Sequence, residues 1–330
     1  MRSPTCGAAW SAWNGGRSWV TPSRRGPRDL GQCPRPQATG SRQRRVGQGA
    51  KVRNKGGNRG TPPTCHPAII RRACIFNERG RASMPLISIV TPCYNAERYI
   101  QDTIDSVFAQ TEGNWEWIIT DDRSTDRSVE IISAISDSRV KLITSKMHRG
   151  AAASYNTCLT TARGRFVTFI DSDDLWEPEF LRVMSRFLLE KREEAAYCGY
   201  RRTDQYLAPL LSDFRATRDV TFRSLLYTNP LSTLSTMYDA RRIGKVYFPY
   251  DNKREDHAMW LTLMRQVAVC RPVDRVLATY RIHPGSLSRN KWEMLGCQYA
   301  LYRFFLGFNY LSAAYYTAAW AANGVLKYAR

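Results

Sequence analysis

Three knots of carboxylates stand out in this chain of 330 residues, each at a point where an apolar run ends or a helical pattern begins. The densest is Asp171-Ser-Asp-Asp-Leu-Trp176, which follows the apolar run Phe166–Ile170. Acids packed this closely repel unless a cation neutralises them. A hard divalent ion shared between carboxylates and a substrate's phosphates is the common solution. An Asp-rich turn with no ligand is the plainer reading, because Asp is a good turn residue. About fifty residues earlier, Trp115–Thr120 runs into Asp121-Asp122, where an ionised carboxylate can accept a base N–H or ribose hydroxyls. Glu255-Asp256 opens a helical stretch to Arg265, where acids favour the positive end of the helix dipole or take a proton from a substrate.

The elements that must position these acids alternate strand and helix. Leu86–Thr91 is a β-branched strand. Asn95 is expected to cap a helix with Ile100, Ile104, Val107 and Phe108 on one face. Trp115–Thr120 is the second strand, and Ser124 or Thr125 caps a helix turning Val129, Ile132 and Ile135 inward. Val140–Ser145 is the third, followed at Gly150 by a small-residue helix over 151–162. Phe166–Ile170 is the fourth, and Pro178 begins a helix carrying Phe180, Met184, Phe187 and Leu188. Repeated βα units imply an α/β fold with a mostly parallel sheet flanked by helices. Ligands of such sheets bind beyond the C-terminal strand ends, where Asp122 and Asp171–Asp174 both fall.

The type of ligand is narrowed by what is missing. The first βα turn, Thr91-Pro-Cys-Tyr-Asn-Ala, has no G-x-G-x-x-G, and no G-x-x-x-x-G-K-[ST] occurs. A dinucleotide or P-loop site is therefore not expected. Tyr94 in that turn offers a ring face to a planar base, or else plugs the end of the sheet. Base, ribose and a metal-bridged diphosphate together describe a nucleotide-sugar site. The remaining enzyme alternative is a nucleotidyltransferase, which calls for a Gly-rich basic loop where Thr91–Arg98 has no glycine.

Ser88-Ile-Val-Thr-Pro-Cys-Tyr-Asn95, Asp121-Asp-Arg-Ser-Thr-Asp126 and Asp171-Ser-Asp-Asp-Leu-Trp176 resemble, in order, the motifs of family 2 glycosyltransferases of the GT-A fold. Glu255-Asp-His-Ala-Met-Trp-Leu261 and Tyr280-Arg-Ile-His-Pro-Gly-Ser-Leu-Ser288 continue the likeness, which spans roughly 84–330. Bacterial enzymes that build teichuronic acid, O-antigen or capsular polysaccharide are the most similar subgroup. The resemblance implies a Rossmann-like nucleotide-binding GT-A sheet and inverting, hexosyltransferase-type transfer from a nucleotide-diphosphate sugar to a saccharide or lipid-linked glycan. It implies that Pro92, Tyr94 and Asp122 bind the nucleotide and that Asp173 holds its ribose. Asp174 then holds Mg2+ or Mn2+ with Asp171 in support, and Asp256 is the general base, with Glu255 next to it. His283 is either a ligand on a closing loop, with Arg281 adding charge, or part of a surface turn at Pro284-Gly285. Two positions depart from the family: Arg123 stands where Gly is frequent, and Tyr155 where Arg is.

Charge divides the chain. Residues 1–83 hold 17 Lys and Arg against two acids, while 84–330 carry 32 against 27. The front segment is rich in Gly, Pro, Arg and Ser and cannot bury enough apolar surface to order itself. A nucleic-acid-binding tail, a targeting peptide and an extension upstream of the natural start all fit its composition. Met84, where patterning begins abruptly, is the expected start, so no nucleic-acid partner is expected. Residues 84–295 are then the catalytic domain and 296–330 an aromatic helical segment. Nine scattered cysteines without metal spacing fit a reducing, cytoplasmic setting. Phe304–Leu326 has no charged residue, but Asn309, Ser312, Asn323 and several tyrosines interrupt it. Contact with a membrane surface is the expected role, with packing onto the catalytic domain or a true span as alternatives.

Overall fold

The computed structural model describes residues 85–249, 253–283 and 291–328. The expectations about residues 1–83, the start at Met84 and the Pro284-Gly285 turn lie outside them. Within the described residues, β1 (Ile87–Cys93), α1 (Ile100–Phe108), β2 (Trp115–Asp121), α2 (Ser128–Ser133), β3 (Val140–Thr144), α3 (Ala151–Thr161) and β4 (Phe166–Phe169) follow the expected alternation. The chain continues through β5 (Leu175–Trp176), α4 (Phe180–Lys191), β6 (Ala195–Thr203), β7 (Pro209–Phe214), α5 (Phe222–Leu225), β8 (Thr236–Asp239) and α6 (Ala240–Ile243). It closes with α7 (Glu255–Leu263), β9 (Arg271–Arg281), α8 (Lys291–Ala300), a π-helical turn Leu301–Phe305, and α9 (Tyr310–Tyr328).

The strands form one sheet in the order β3-β2-β1-β4-β8-β6-β9-β5, with β7 paired to β6. Pairing is parallel over β3-β2-β1-β4 and mixed beyond, where β8 runs antiparallel to β4 and β6 while β6 and β9 are parallel. Alternation along the strands supplies two cores. Ile87, Ile89, Trp117 and Ile119 face one side with Ile100, Ile104 and Val107 of α1. Val90 and Ile118 face the other with Tyr155, Cys158 and Leu159 of α3. Phe108, expected on the buried face, is exposed at the helix end.

Two capping expectations fail for the same reason. Asn95 adopts φ 50° and α1 begins only after Tyr99. Its Oδ1 accepts from Thr125 N, and its own N–H donates to Ser124 Oγ. The side chains read as helix caps instead tie the loops after β1 and β2 together. That brings the two strand ends into one rigid edge.

The boundary expected at 295 falls inside α8. Leu301, Tyr302 and Ala313 are buried in the same core as Leu226 and Trp260, so the C-terminal helices pack onto the sheet domain. Among the described residues no helix is long and apolar enough to cross a membrane.

Candidate active site

The register places Cys93 beside Asp121 and Val90 beside Phe169, so β1, β2 and β4 deliver the loops after them to one edge. At the β1–β2 end, Tyr94 is half exposed and its ring lies 4.4 Å from that of His148. Pro92 sits one turn of the pleat earlier, opposite Thr120. Asp122 is almost wholly buried, and its carboxylate accepts from Arg149 N at 2.9 Å and Gly150 N at 2.7 Å. His148 Nδ1 lies 2.8 Å from Asp122 Oδ2 and 3.2 Å from Asp122 O. Facing two acceptors, Nδ1 must carry a proton, which leaves Nε2 of the neutral ring as an acceptor. Asp122 thus fixes the turn before α3. Arg123, at the position where glycine is frequent, adopts φ 67°, and its N–H donates to Asp121 Oδ2. That left-handed backbone is the reason glycine suits this position.

At the β4 end the acids are sorted by burial. Asp171 accepts from the Tyr155 hydroxyl and, at 3.0 Å, from Thr233 Oγ1. Burial, and then the charge of Asp173, push its carboxyl up to about 6. Asp173 is partly exposed and its Oδ2 lies 2.8 Å from His283 Nε2. Asp174 is fully buried; Oδ1 accepts from Arg281 N at 2.9 Å, while Oδ2 is enclosed and has no hydrogen-bond partner among the described residues. Burial and the neighbouring Asp173 and Asp171 hold its carboxyl well above the usual range. Asp174, expected to hold the metal, is thus the enclosed acid, and Asp173, expected to hold the ribose, is the more open one. The loop after β9 is pinned by Arg281, whose guanidinium reaches Asp102 of α1 at 2.7 Å and lies over the Tyr99 ring. Tyr99 in turn packs against His283, with ring centroids 4.8 Å apart.

Asp256 lies in the first turn of α7, and Asn229 Nδ2 approaches its Oδ2 at 3.4 Å. Leu231 N donates to Asn229 Oδ1, which orients the amide nitrogen toward Asp256. The charge of Asp256 is felt at Asp171, so the third acid pair shares the field of the DSDD cluster although 85 residues separate them.

Among the described residues no group of three or more His, Cys, Asp or Glu forms a ready metal cage. The donor set nevertheless suits a hard cation: Asp173 offers a partly exposed carboxylate, Asp171 a second carboxyl whose pKa is raised by burial and by Asp173, and His283 a ring nitrogen beside Asp173. Sequence reasoning missed His148, Asn229 and Thr233. None lies in a motif, and each matters only through a contact made across at least 26 residues. Tyr155 was visible as a departure from the family; the structure stacks it on Phe248 at 4.4 Å with its hydroxyl on Asp171.

The model of the family described as glycosyl transferase family 2 matches residues 88–232. The provisionally assigned teichuronic acid biosynthesis glycosyltransferase TuaG of Bacillus subtilis is 33% identical over 245 residues, covering 74% of this chain and 97% of its own. An Escherichia coli relative, UDP-Glc:alpha-D-GlcNAc-diphosphoundecaprenol beta-1,3-glucosyltransferase WfgD, is 32% identical over 74% of this chain and 95% of its own. In fold, residues 1–349 of S. aureus TarS in complex with UDP-GlcNAc match with a TM-score of 0.58 at 18% identity, covering 71% of each chain. The mannosyltransferase PcManGT of Pyrobaculum calidifontis, in complex with GDP-Man and Mn2+, matches with a TM-score of 0.51 at 17% identity, covering 73% of this chain and 74% of its own.

Proposed function

The chain belongs to glycosyl transferase family 2 and is a glycosyltransferase, and from that premise we propose that it moves a sugar, with inversion, from a nucleoside-diphosphate sugar to a hydroxyl of a lipid-linked cell-envelope glycan. The observation that supports this reading is that Asp171 and Asp173 follow β4 at the edge that also carries Tyr94 and Asp122 beyond β1 and β2, with the charge of Asp256 reaching Asp171.

Each side chain then has a task. Tyr94 gives a ring face to the base, and His148 Nε2, fixed as an acceptor by Asp122, takes a base N–H. Asp173 and His283 would hold a divalent ion with Asp171 in support, while Asp174 and Arg281 set the backbone of that loop. When bound, that ion (Mg2+ or Mn2+) supplies positive charge to the departing diphosphate. Asp256 accepts the proton of the attacking hydroxyl as the bond to the anomeric carbon forms. Asn229 keeps one oxygen of that carboxylate oriented. Arg281 lies one residue from the ion-binding loop, and its charge is already paired with Asp102, so its part is structural.

The relatives' lipid-linked acceptor gives a reason for the exposed rings of α9. Tyr310, Leu311 and Tyr315 are open to solvent, and Arg303 sits 4.3 Å over the Tyr310 ring. Aromatic rings with an adjacent cation suit the headgroup region of a bilayer. On this reading the enzyme works peripherally on the inner face of the plasma membrane.

The test is a panel of nucleotide sugars, beginning with UDP-glucose and UDP-GlcNAc, scored for Mn2+- or Mg2+-dependent thermal stabilisation and hydrolysis by the full chain. Stabilisation by at least one donor, together with its turnover, is expected. No response to any donor in either ion would overturn the assignment.

A further inference from the structure

Asp256 is bracketed by two residues that the C-terminal helices grip. Arg254, the residue before α7, lies with its guanidinium 4.3 Å over the ring of Trp320 on α9. His257, the residue after Asp256, is fully buried, and its Nδ1 faces Gln298 Nε2 of α8 at 3.2 Å. Its Nε2 lies 2.9 Å from the carbonyl oxygen of Leu225, so Nε2 carries the proton and Nδ1 accepts from the glutamine. Burial pulls the imidazole pKa down, which keeps this neutral arrangement in place.

A second set of contacts reaches the same carboxylate from the other side. The carbonyls that end α5 have no partner within so short a helix. Three in a row are satisfied from α7 and the C-terminal segment. Leu225 O accepts from His257, Leu226 O from the Tyr302 hydroxyl at 2.8 Å, and Tyr227 O from Asn323 of α9 at 3.2 Å. Two residues further on stands Asn229, whose amide approaches Asp256 Oδ2. The helix start that carries the carboxylate and the strand of chain that orients it therefore share one support. That support lies beyond the residues 88–232 matched by the family model.

We propose that the helices after residue 290 are a brace for the catalytic base, with Trp320, Gln298 and Asn323 as positioning residues acting through Arg254, His257 and Asn229 on Asp256. The inference rests on Asp256 being the base. Its consequence is a division of labour: the family-matched segment, with His283, binds the donor, while the C-terminal helices set the proton acceptor. Displacing a catalytic group by about 1 Å costs up to roughly a hundredfold in rate. Donor binding, which uses the other end of the edge, is left alone.

The experiment compares Trp320→Leu, Trp320→Phe, Gln298→Leu and Asn323→Ala in the full chain, using UDP-glucose or whichever donor the panel identifies. The acceptor probe is a short-chain alkyl ester of α-GlcNAc diphosphate. Turnover, donor KM, UDP affinity by calorimetry and melting temperature are read together. Trp320→Leu and Gln298→Leu should lower kcat by about 10- to 100-fold, with UDP affinity and donor KM within about twofold of the parent. Trp320→Phe, which keeps a ring under the guanidinium, should recover most of the loss. Asn323 is exposed, so its variant folds even if the other two do not, and it should lower kcat about threefold with no change in UDP affinity. Unchanged kcat in Asn323→Ala and Gln298→Leu, a Phe no better than Leu, or UDP affinity falling in step with kcat would overturn the brace. Asp256→Asn is the control. If it retains turnover, the assignment of the base fails and the brace falls with it; if it is dead while the other variants are normal, only the brace is lost.

Discussion

Buried carboxylates sit at both edges of the first half of the sheet, and their surroundings differ. At the N-terminal edge, Glu116 of β2 accepts from Ser88 Oγ, Arg163 N and Lys141 Nζ. Burial alone raises its pKa, but these hydrogen bonds and the lysine charge outweigh burial and hold it below its ordinary value. At the C-terminal edge, Asp171 and Asp174 have too few donors for their charge, and burial wins. The first carboxylate is satisfied within the fold and contributes stability. The second pair meets fewer donors among the described residues, and its carboxyls stay above their ordinary range. Two edges of one sheet, both carrying carboxylates, are thus separated by how many proton donors reach them.

That contrast yields four measurements. The largest effect is expected at Asp256, where Asp256→Asn should lower turnover by about 10²–10⁴-fold while UDP affinity and melting temperature hold. Turnover near the parent's would return Asp256 to the role of a helix-start acid and shift attention to Glu255. Next, Glu116→Gln should cost about 1–3 kcal/mol of stability, because it leaves donors short of their acceptor. Denaturant unfolding measures that loss, and kcat should stay near normal; a fall in kcat without loss of stability would tie the lower edge to function.

The third measurement uses pH, with opposite signs at the two edges. Asp171, raised from 3.8 to about 6, binds a proton more readily in the folded chain than in the unfolded one. Without divalent ion, its contribution makes stability fall as pH rises between about 4 and 6. Glu116, held below 4.5, contributes stability that is present above the unfolded value and lost as pH falls through the folded one. Asp171→Asn should flatten the first limb and Glu116→Gln the second, as followed by melting temperature against pH. Mn2+ should relieve the first limb only, and relief of both would dissolve the distinction. The smallest effect is at the base side, where His148→Phe keeps a ring beside Tyr94 but removes the Nε2 acceptor. UDP affinity should weaken by about three- to tenfold, the worth of one neutral hydrogen bond. A change below the precision of calorimetry would take His148 out of base recognition.

Much of the fold was legible because its signals are local. Strand-length apolar runs and helical spacing put β1 to β4 and their helices within a residue or two of their observed bounds, except that α1 and α2 start late, at Ile100 and Ser128. Asn95 and Ser124 misled because a side chain that can cap a helix can equally join two loops, and only the spatial closeness of those loops decides. The DSDD cluster was visible as a motif, but its internal order was not.

The sequence by itself determined that acids would stand at the ends of parallel strands, because alternation and strand length depend on residues within a few positions of one another. It also determined the family, since the motifs come in order along the chain. Only the tertiary structure decided which acid is enclosed and which is open. Asp174 is covered by the backbone of Arg281, 107 residues away, whereas Asp173 meets His283 at the opening. It alone brought Asn229 to Asp256, His148 to Asp122, and the C-terminal helices under the chain around Asp256. The reason is physical: a charged group's state is set by the donors and charges within a few ångströms of it, and in a folded chain those come from segments whose separation in sequence carries no trace of their contact.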